Sequence, residues 1–123
     1  MTFSEEIKQY ALSLGFDACG ICRATESGEE ERYTRWLAEN GNAGMAYMAR
    51  NIDKRLDPRL LVEGARSVIS VALNYYPHER LPDEVPQFAY YAYGKDYHDI
   101  VREKLSRLFE FIRSRYAGVS GRY

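Results

Sequence analysis

The sequence predicts an α+β fold, with helices packed on a small mixed or antiparallel sheet in a single domain spanning residues 1–123. Three observations predict it. Residues 3–14 and 97–116 repeat apolar side chains three and four positions apart, the period of helices with one buried face. Between them, Ser67 to Pro77 reads S-V-I-S-V-A-L-N-Y-Y-P, with Val68, Ile69, Val71 and Leu73 apolar and not alternating, as in a central strand covered on both faces. Phe88 to Tyr93 alternates aromatic and small residues, the pattern of a strand beside it. A chain of 123 residues can bury one core without disulfide help.

In chain order, the first helix carries Phe3, Ile7, Tyr10, Ala11 and Leu14 on one face, with Thr2 and Glu5 placed as a capping box and Gly15 as its stop. Phe16 to Arg23, F-D-A-C-G-I-C-R, suits a short strand that contains a glycine. Glu29 to Asn40 is a second helix, with Tyr33, Trp36 and Leu37 as its face. Gly44 to Asn51 predicts a short helix with Met45, Met48 and Ala49 inward. Asp57-Pro58 supplies the cap and first position of a helical turn docked by Leu60 and Leu61, and Gly64 ends it before the central strand. Residues 77–89 contain Pro77, Pro82 and Pro86 among charges and form a long loop, which in a compact domain is functional or disordered. Asp96 caps the last helix, in which Val101, Leu105, Leu108 and Ile112 form the stripe and Arg102, Lys104, Arg107, Arg113 and Arg115 lie mostly outside. The final G-V-S-G-R-Y reads like the entry to a further strand, as a truncated chain would have.

The composition is that of a globular protein, with apolar residues near half of the chain and a formal net charge of −1. Eleven tyrosines against five phenylalanines imply many half-buried rings with wet hydroxyls, or a surface that stacks on flat ligands. Charge is uneven: residues 1–49 hold eight acidic and four basic side chains, and residues 100–123 hold six basic and two acidic. Such basic segments are either solvated helix faces or contacts for an anionic partner. No stretch approaches the ~20 apolar residues of a membrane span, and the start is not that of a secretory leader, so a cytoplasmic protein without membrane contact is expected.

Two places could carry chemistry. Asn74, Tyr75 and Tyr76 follow the central strand, where open sheets meet their ligands. Tyr93 to His98, Y-G-K-D-Y-H, runs from a glycine turn into a helix start whose free N–H groups favour an anion, with Asp96, Tyr97 and His98 together as hydrogen-bonding or proton-donating groups. An ordinary capped helix with a surface histidine is the alternative. Cys19 and Cys22 form a C-x-x-C, but on a strand they point to opposite faces, and zinc would need further ligands. They read as small buried thiols, and no metal site is expected.

F-D-A-C-G-I-C-R-A (Phe16–Ala24), G-M-A-Y-M (Gly44–Met48), the run Arg55–Pro77 and Y-A-Y-G-K-D-Y-H (Tyr91–His98) together resemble the N-terminal, DUF1730-type, cobalamin-binding region of the epoxyqueuosine reductase family. The resemblance covers nearly the whole chain in order. It implies a nitroreductase-like cobalamin-binding domain and an oxidoreductase that completes queuosine synthesis, reducing an epoxide to an alkene on tRNA with cobalamin and [4Fe–4S] clusters. The cluster cysteines would lie in a region following this chain, and the catalytic aspartate a few residues past Tyr123. Cys19 and Cys22 stand where the family commonly has small residues.

On this resemblance Tyr75 and Tyr76 meet the corrin or substrate ring, Asp96, Tyr97 and His98 hydrogen-bond near the epoxide, and Arg23 and Arg55 meet amide or phosphate groups. The partner would be the tRNA anticodon loop that carries epoxyqueuosine, bound by a monomer, and the chain alone would be inactive. Two rivals stay open: a flavin-binding nitroreductase-like enzyme, which would hold FMN, and a non-catalytic tRNA-binding module with a steep salt dependence.

Overall fold

Nine elements follow one another in the computed structural model, which describes residues 1–123. Helix α1 (Phe3–Ser13) is followed by β1 (Ala18–Arg23), α2 (Glu30–Ala38), a 3-10 turn (Ala46–Ala49), α3 (Ile52–Leu56), α4 (Pro58–Leu61), β2 (Ser67–Ala72), a second 3-10 turn (Tyr90–Ala92) and α5 (Tyr97–Arg115). The two strands form a two-stranded antiparallel sheet, with Asp17 N–H bonded to Ala72 C=O at one end of the ladder and Ala24 N–H to Arg66 C=O at the other. The chain is therefore α+β. It divides into two compact units, Met1–Gly20 with Ile69–Tyr123, and Ile21–Val68.

The first unit is built on α1 and α5. Thr2 accepts from Glu5 N–H while the Glu5 carboxylate accepts from Thr2 N–H at 2.6 Å, so the expected capping box starts α1. Gly15, at φ +97°, turns the chain out of the helix. Ile7 and Ala11 of α1, Phe16, and Leu108 and Ile112 of α5 are buried. Tyr10 stacks on Phe111 at 4.1 Å, and Phe3 on Tyr116 at 5.9 Å. Lys104 departs from the outward position expected of it: its ammonium donates to Leu14 C=O, beside the Phe16 ring. The carbonyls that close α1 and the ring face draw the cation inward.

In the second unit, Tyr33 packs on Trp36 and donates its hydroxyl to Met48 C=O. Asn40, at φ +56°, ends α2, and Gly41 then passes so close to the indole that a Cβ there would lie 2.1 Å from Trp36 Nε1. Asp57 caps α4 as expected, accepting from Arg59 N–H at 3.0 Å, and its carboxylate also takes the Arg59 guanidinium. That guanidinium and the backbone bond hold the Asp57 carboxyl below its usual range.

Several expectations change. The central strand is not covered on both faces: Val68, Ile69 and Val71 are half-buried, while Ser67, Ser70 and Ala72 are exposed. With β1 as its one neighbour, β2 keeps an open edge, and two strands are too few to bury both faces. Phe88–Tyr93 forms no strand; the chain coils into the 3-10 turn at Tyr90–Ala92 and leaves Phe88 67% exposed. The Gly44–Asn51 helix shrinks to the 3-10 turn, with Met45 and Ala49 outward, and Leu60 and Leu61 are exposed rather than docked. Four residues of α4 present too little of a helix face to bury both leucines. Cys22 is exposed and Cys19 half-buried, so the thiols are not both interior. Gly118 to Tyr123 has no strand.

Candidate functional site

The end of β2 is held by two short local devices. Asp17 accepts from Asn74 N–H at 2.6 Å, and Asn74 accepts from Tyr76 N–H at 3.0 Å, an Asx turn that tips the chain out of the strand. Tyr75 and Tyr76 are thereby presented with 62% and 57% of their surface exposed. Asp17 escaped the reading of the sequence, although a carboxylate at the mouth of a strand was its signal.

The loop that follows folds back on these rings. Tyr90 meets Tyr76 edge-on at 5.2 Å and Tyr93 at 6.4 Å, while Arg80 lies 5.4 Å from the Tyr90 ring centre. Tyr90 and then Tyr76 hold the Arg80 guanidinium more firmly charged than usual. Tyr93 Oη accepts from Leu81 N–H, and Gln87 donates to the carbonyls of Pro82 and Val85 at 2.8 Å. The alternating aromatics that resembled a strand serve instead as the scaffold of a long loop. Arg80, Tyr90 and Tyr93 are thus further members of this surface, and the excess of tyrosine in the composition was their only sequence signal.

At the front of α5, Asp96 accepts from His98 N–H at 2.9 Å as an N-cap, and the same oxygen lies 2.8 Å from His98 Nδ1. The His98 backbone N–H first, and then its ring, hold the Asp96 carboxyl below its ordinary value of 3.8. Tyr97 stacks on the imidazole at 4.0 Å, and Tyr91 meets Tyr97 edge-on at 6.0 Å. The structure brings Asp96, Tyr97 and His98 together. Chemically, the arrangement is a carboxylate that orients an imidazole, leaving Nε2 free, with a phenol alongside. Both side chains of the Asp96–His98 pair are more than half exposed.

The other two candidates lie in the second unit. Arg23 is exposed at the end of β1. Arg55 is engaged with backbone, donating from Nε to Arg50 C=O at 3.0 Å and from Nη2 to Tyr47 C=O at 2.9 Å. Burial pushes the Cys19 thiol up. No group of three His, Cys, Asp or Glu side chains is placed to hold a metal ion, and no helix is long and apolar enough to cross a membrane.

The α+β fold is shared with solved reductases. The chain superposes on the structure of epoxyqueuosine reductase from Streptococcus thermophilus with a TM-score of 0.77 and 28% identity, covering 96% of this chain and 33% of that one. It matches a crystal structure of epoxyqueuosine reductase with an epoxyqueuosine-modified tRNA-Tyr stem loop with a TM-score of 0.75 and 30% identity, over 92% of this chain and 32% of that one. Epoxyqueuosine reductase from Leadbetterella byssophila is 52% identical over 98% of this chain, which spans 40% of that relative's length. Residues 55–123 match the family described as epoxyqueuosine reductase QueG, DUF1730. The chain belongs to that family.

Proposed function

We propose that this chain is part of an epoxyqueuosine reductase, an oxidoreductase that converts epoxyqueuosine to queuosine in tRNA, and that residues 1–123 form part of one domain holding cobalamin and substrate. The observation that carries the reading is the Asp96–His98 pair with Tyr97 stacked on it, within the stretch that matches the family. The stem-loop complex of a related reductase supports an anticodon loop as the partner.

The exposed Tyr75 and Tyr76 fit a flat macrocycle, offering ring faces for contact and hydroxyls for its polar rim. Bound cobalamin would supply the reducing equivalents that open the epoxide. Asp96 orients His98 through Nδ1, so that Nε2 faces outward to hold a proton for the departing oxygen, and Tyr97 adds a second donor. Arg23 meets an amide or phosphate group with its whole fork. Arg55 does so with the donors left after its two carbonyl bonds.

A [4Fe–4S] cluster does not fit the residues present, since Cys19 and Cys22 lie three apart on one strand and no third ligand gathers near them. We place its ligands elsewhere in the enzyme, and we take these 123 residues to be inactive alone, as a cytoplasmic monomeric enzyme would need its remaining parts. Reconstitution tests the cofactor: the intact protein should take up cobalamin and show its visible spectrum. A yellow protein that binds FMN and ignores cobalamin would place the chain with the flavin-dependent nitroreductases instead.

A further inference from the structure

We propose that Tyr90 and Tyr91 are positioning residues that join the end of β2 and the front of α5 into one wall, so that a single 3-10 turn sets where the Tyr76 ring stands relative to the His98 imidazole. The two tyrosines are consecutive but face apart, since a 3-10 turn rotates each side chain by about 120° from the one before. Tyr90 reaches back to Tyr76, edge-on at 5.2 Å, with Arg80 5.4 Å from its ring centre. Tyr91 reaches forward to Tyr97, edge-on at 6.0 Å, and Tyr97 stacks on His98 at 4.0 Å. All of these residues lie in the first unit.

The turn is itself pinned. Ala92 N–H donates to Ala89 C=O at 2.9 Å and Tyr93 N–H to Tyr90 C=O at 3.2 Å, while the Tyr93 ring lies 6.4 Å from Tyr90 and its hydroxyl accepts from Leu81 N–H. Tyr90 is half-buried, as an anchor would be, whereas Tyr91 is 55% exposed and lies outside the core. Edge-to-face aromatic pairs are directional, so each contact fixes a ring angle as well as a distance. A general acid is sensitive to such placement, a shift of about 1 Å costing on the order of 10²-fold in rate. The wall rests on the proposed reductase for what it faces, a flat ring at Tyr76 and a departing oxygen at His98, whereas the coupling between the two ends rests on the contacts alone.

The imidazole signal of His98, read by NMR in the intact protein labelled at histidine and assigned by its absence from His98→Asn, reports the coupling without turnover. Tyr91→Leu should shift it, and Tyr91→Phe, which keeps the ring, should leave it in place. Tyr90→Leu should shift it too, although its ring contacts are Tyr76 and Tyr93. Made on top of Tyr91→Leu, the same change should move the signal no further, because the route runs through Tyr91. Arg80→Gln, which loosens Tyr90 without emptying its place, takes the role of Tyr90→Leu if that variant does not fold. In the loaded enzyme Tyr91→Leu should lower the single-turnover rate about tenfold or more with cobalamin affinity unchanged, whereas Tyr90→Leu should weaken cobalamin binding as well. A His98 signal indifferent to either leucine variant, a Tyr90→Leu shift that persists in the Tyr91→Leu background, or an unchanged rate in Tyr91→Leu would overturn the proposal. An intact protein that shows the shifts but reduces no epoxyqueuosine would remove the reductase and leave the coupling standing.

Discussion

Asp96 binds His98 twice, taking the backbone N–H that opens α5 and the ring nitrogen Nδ1 on the same carboxylate oxygen. The folded carboxyl titrates below the unfolded one, so its contribution to stability is complete above the ordinary carboxylate range and is lost as pH falls through the lowered value. Melting curves of the native chain and Asp96→Ala should differ at pH 7 and converge as the pH falls through the lowered carboxyl value. A constant difference across that range would show that the cap is not electrostatic.

His98→Asn keeps size and polarity but removes the titratable group. In the intact enzyme the single-turnover rate should fall by about 10²–10⁴-fold, the usual cost of losing a general acid or base, with stability changed by no more than about 0.5 kcal/mol. A rate within a few-fold accompanied by a lower melting temperature would make His98 a capping residue.

Gly15 and Lys104 form one joint. A Cβ on Gly15 would lie 2.6 Å from Lys104 Nζ, and the backbone there sits at φ +97°. Gly15→Ala should cost about 1–2 kcal/mol, and Lys104→Met, which keeps the apolar stem but loses the bond to Leu14 C=O, about 1 kcal/mol. Because both changes strike one contact, the double variant should lose less than their sum. Strict additivity by chemical denaturation would contradict the joint.

Cys19 and Cys22 are predicted to be dispensable for iron. Replacing both with Ala should leave the iron content of the intact enzyme unchanged, and in the free chain Cys22 should alkylate faster than Cys19, which is shielded and held in its thiol form. Loss of iron would return them to the cluster.

What could be read in the sequence was local. Thr2 with Glu5, Asp57 before Pro58, and Asp96 are caps whose side chains act within three residues of themselves, and each appears where the residue types place it. What failed depended on distant partners. Phe88 to Tyr93 has the period of a strand, but no neighbouring strand pairs with it, and Tyr90 is held between Tyr76 and Tyr93 instead. Helix α3 begins after Asn51 in the left-handed region, with no capping bond to announce it. Lys104 looked like one more cation on a basic helix face, because its partner Leu14 lies 90 positions away. In the site, Asp96, Tyr97 and His98 were visible as one run, whereas Arg80 and Asp17 became visible only once the chain had folded.

Single-turnover reduction of an epoxyqueuosine-containing tRNA stem loop, read as queuosine by mass spectrometry, separates a reductase from a flavin enzyme or a non-catalytic RNA binder. The intact, cofactor-loaded protein should form queuosine, and the 123-residue chain under the same conditions should form none. No queuosine from the loaded intact protein would rule out the proposed reductase, and turnover by the 123-residue chain alone would show that it needs no further parts.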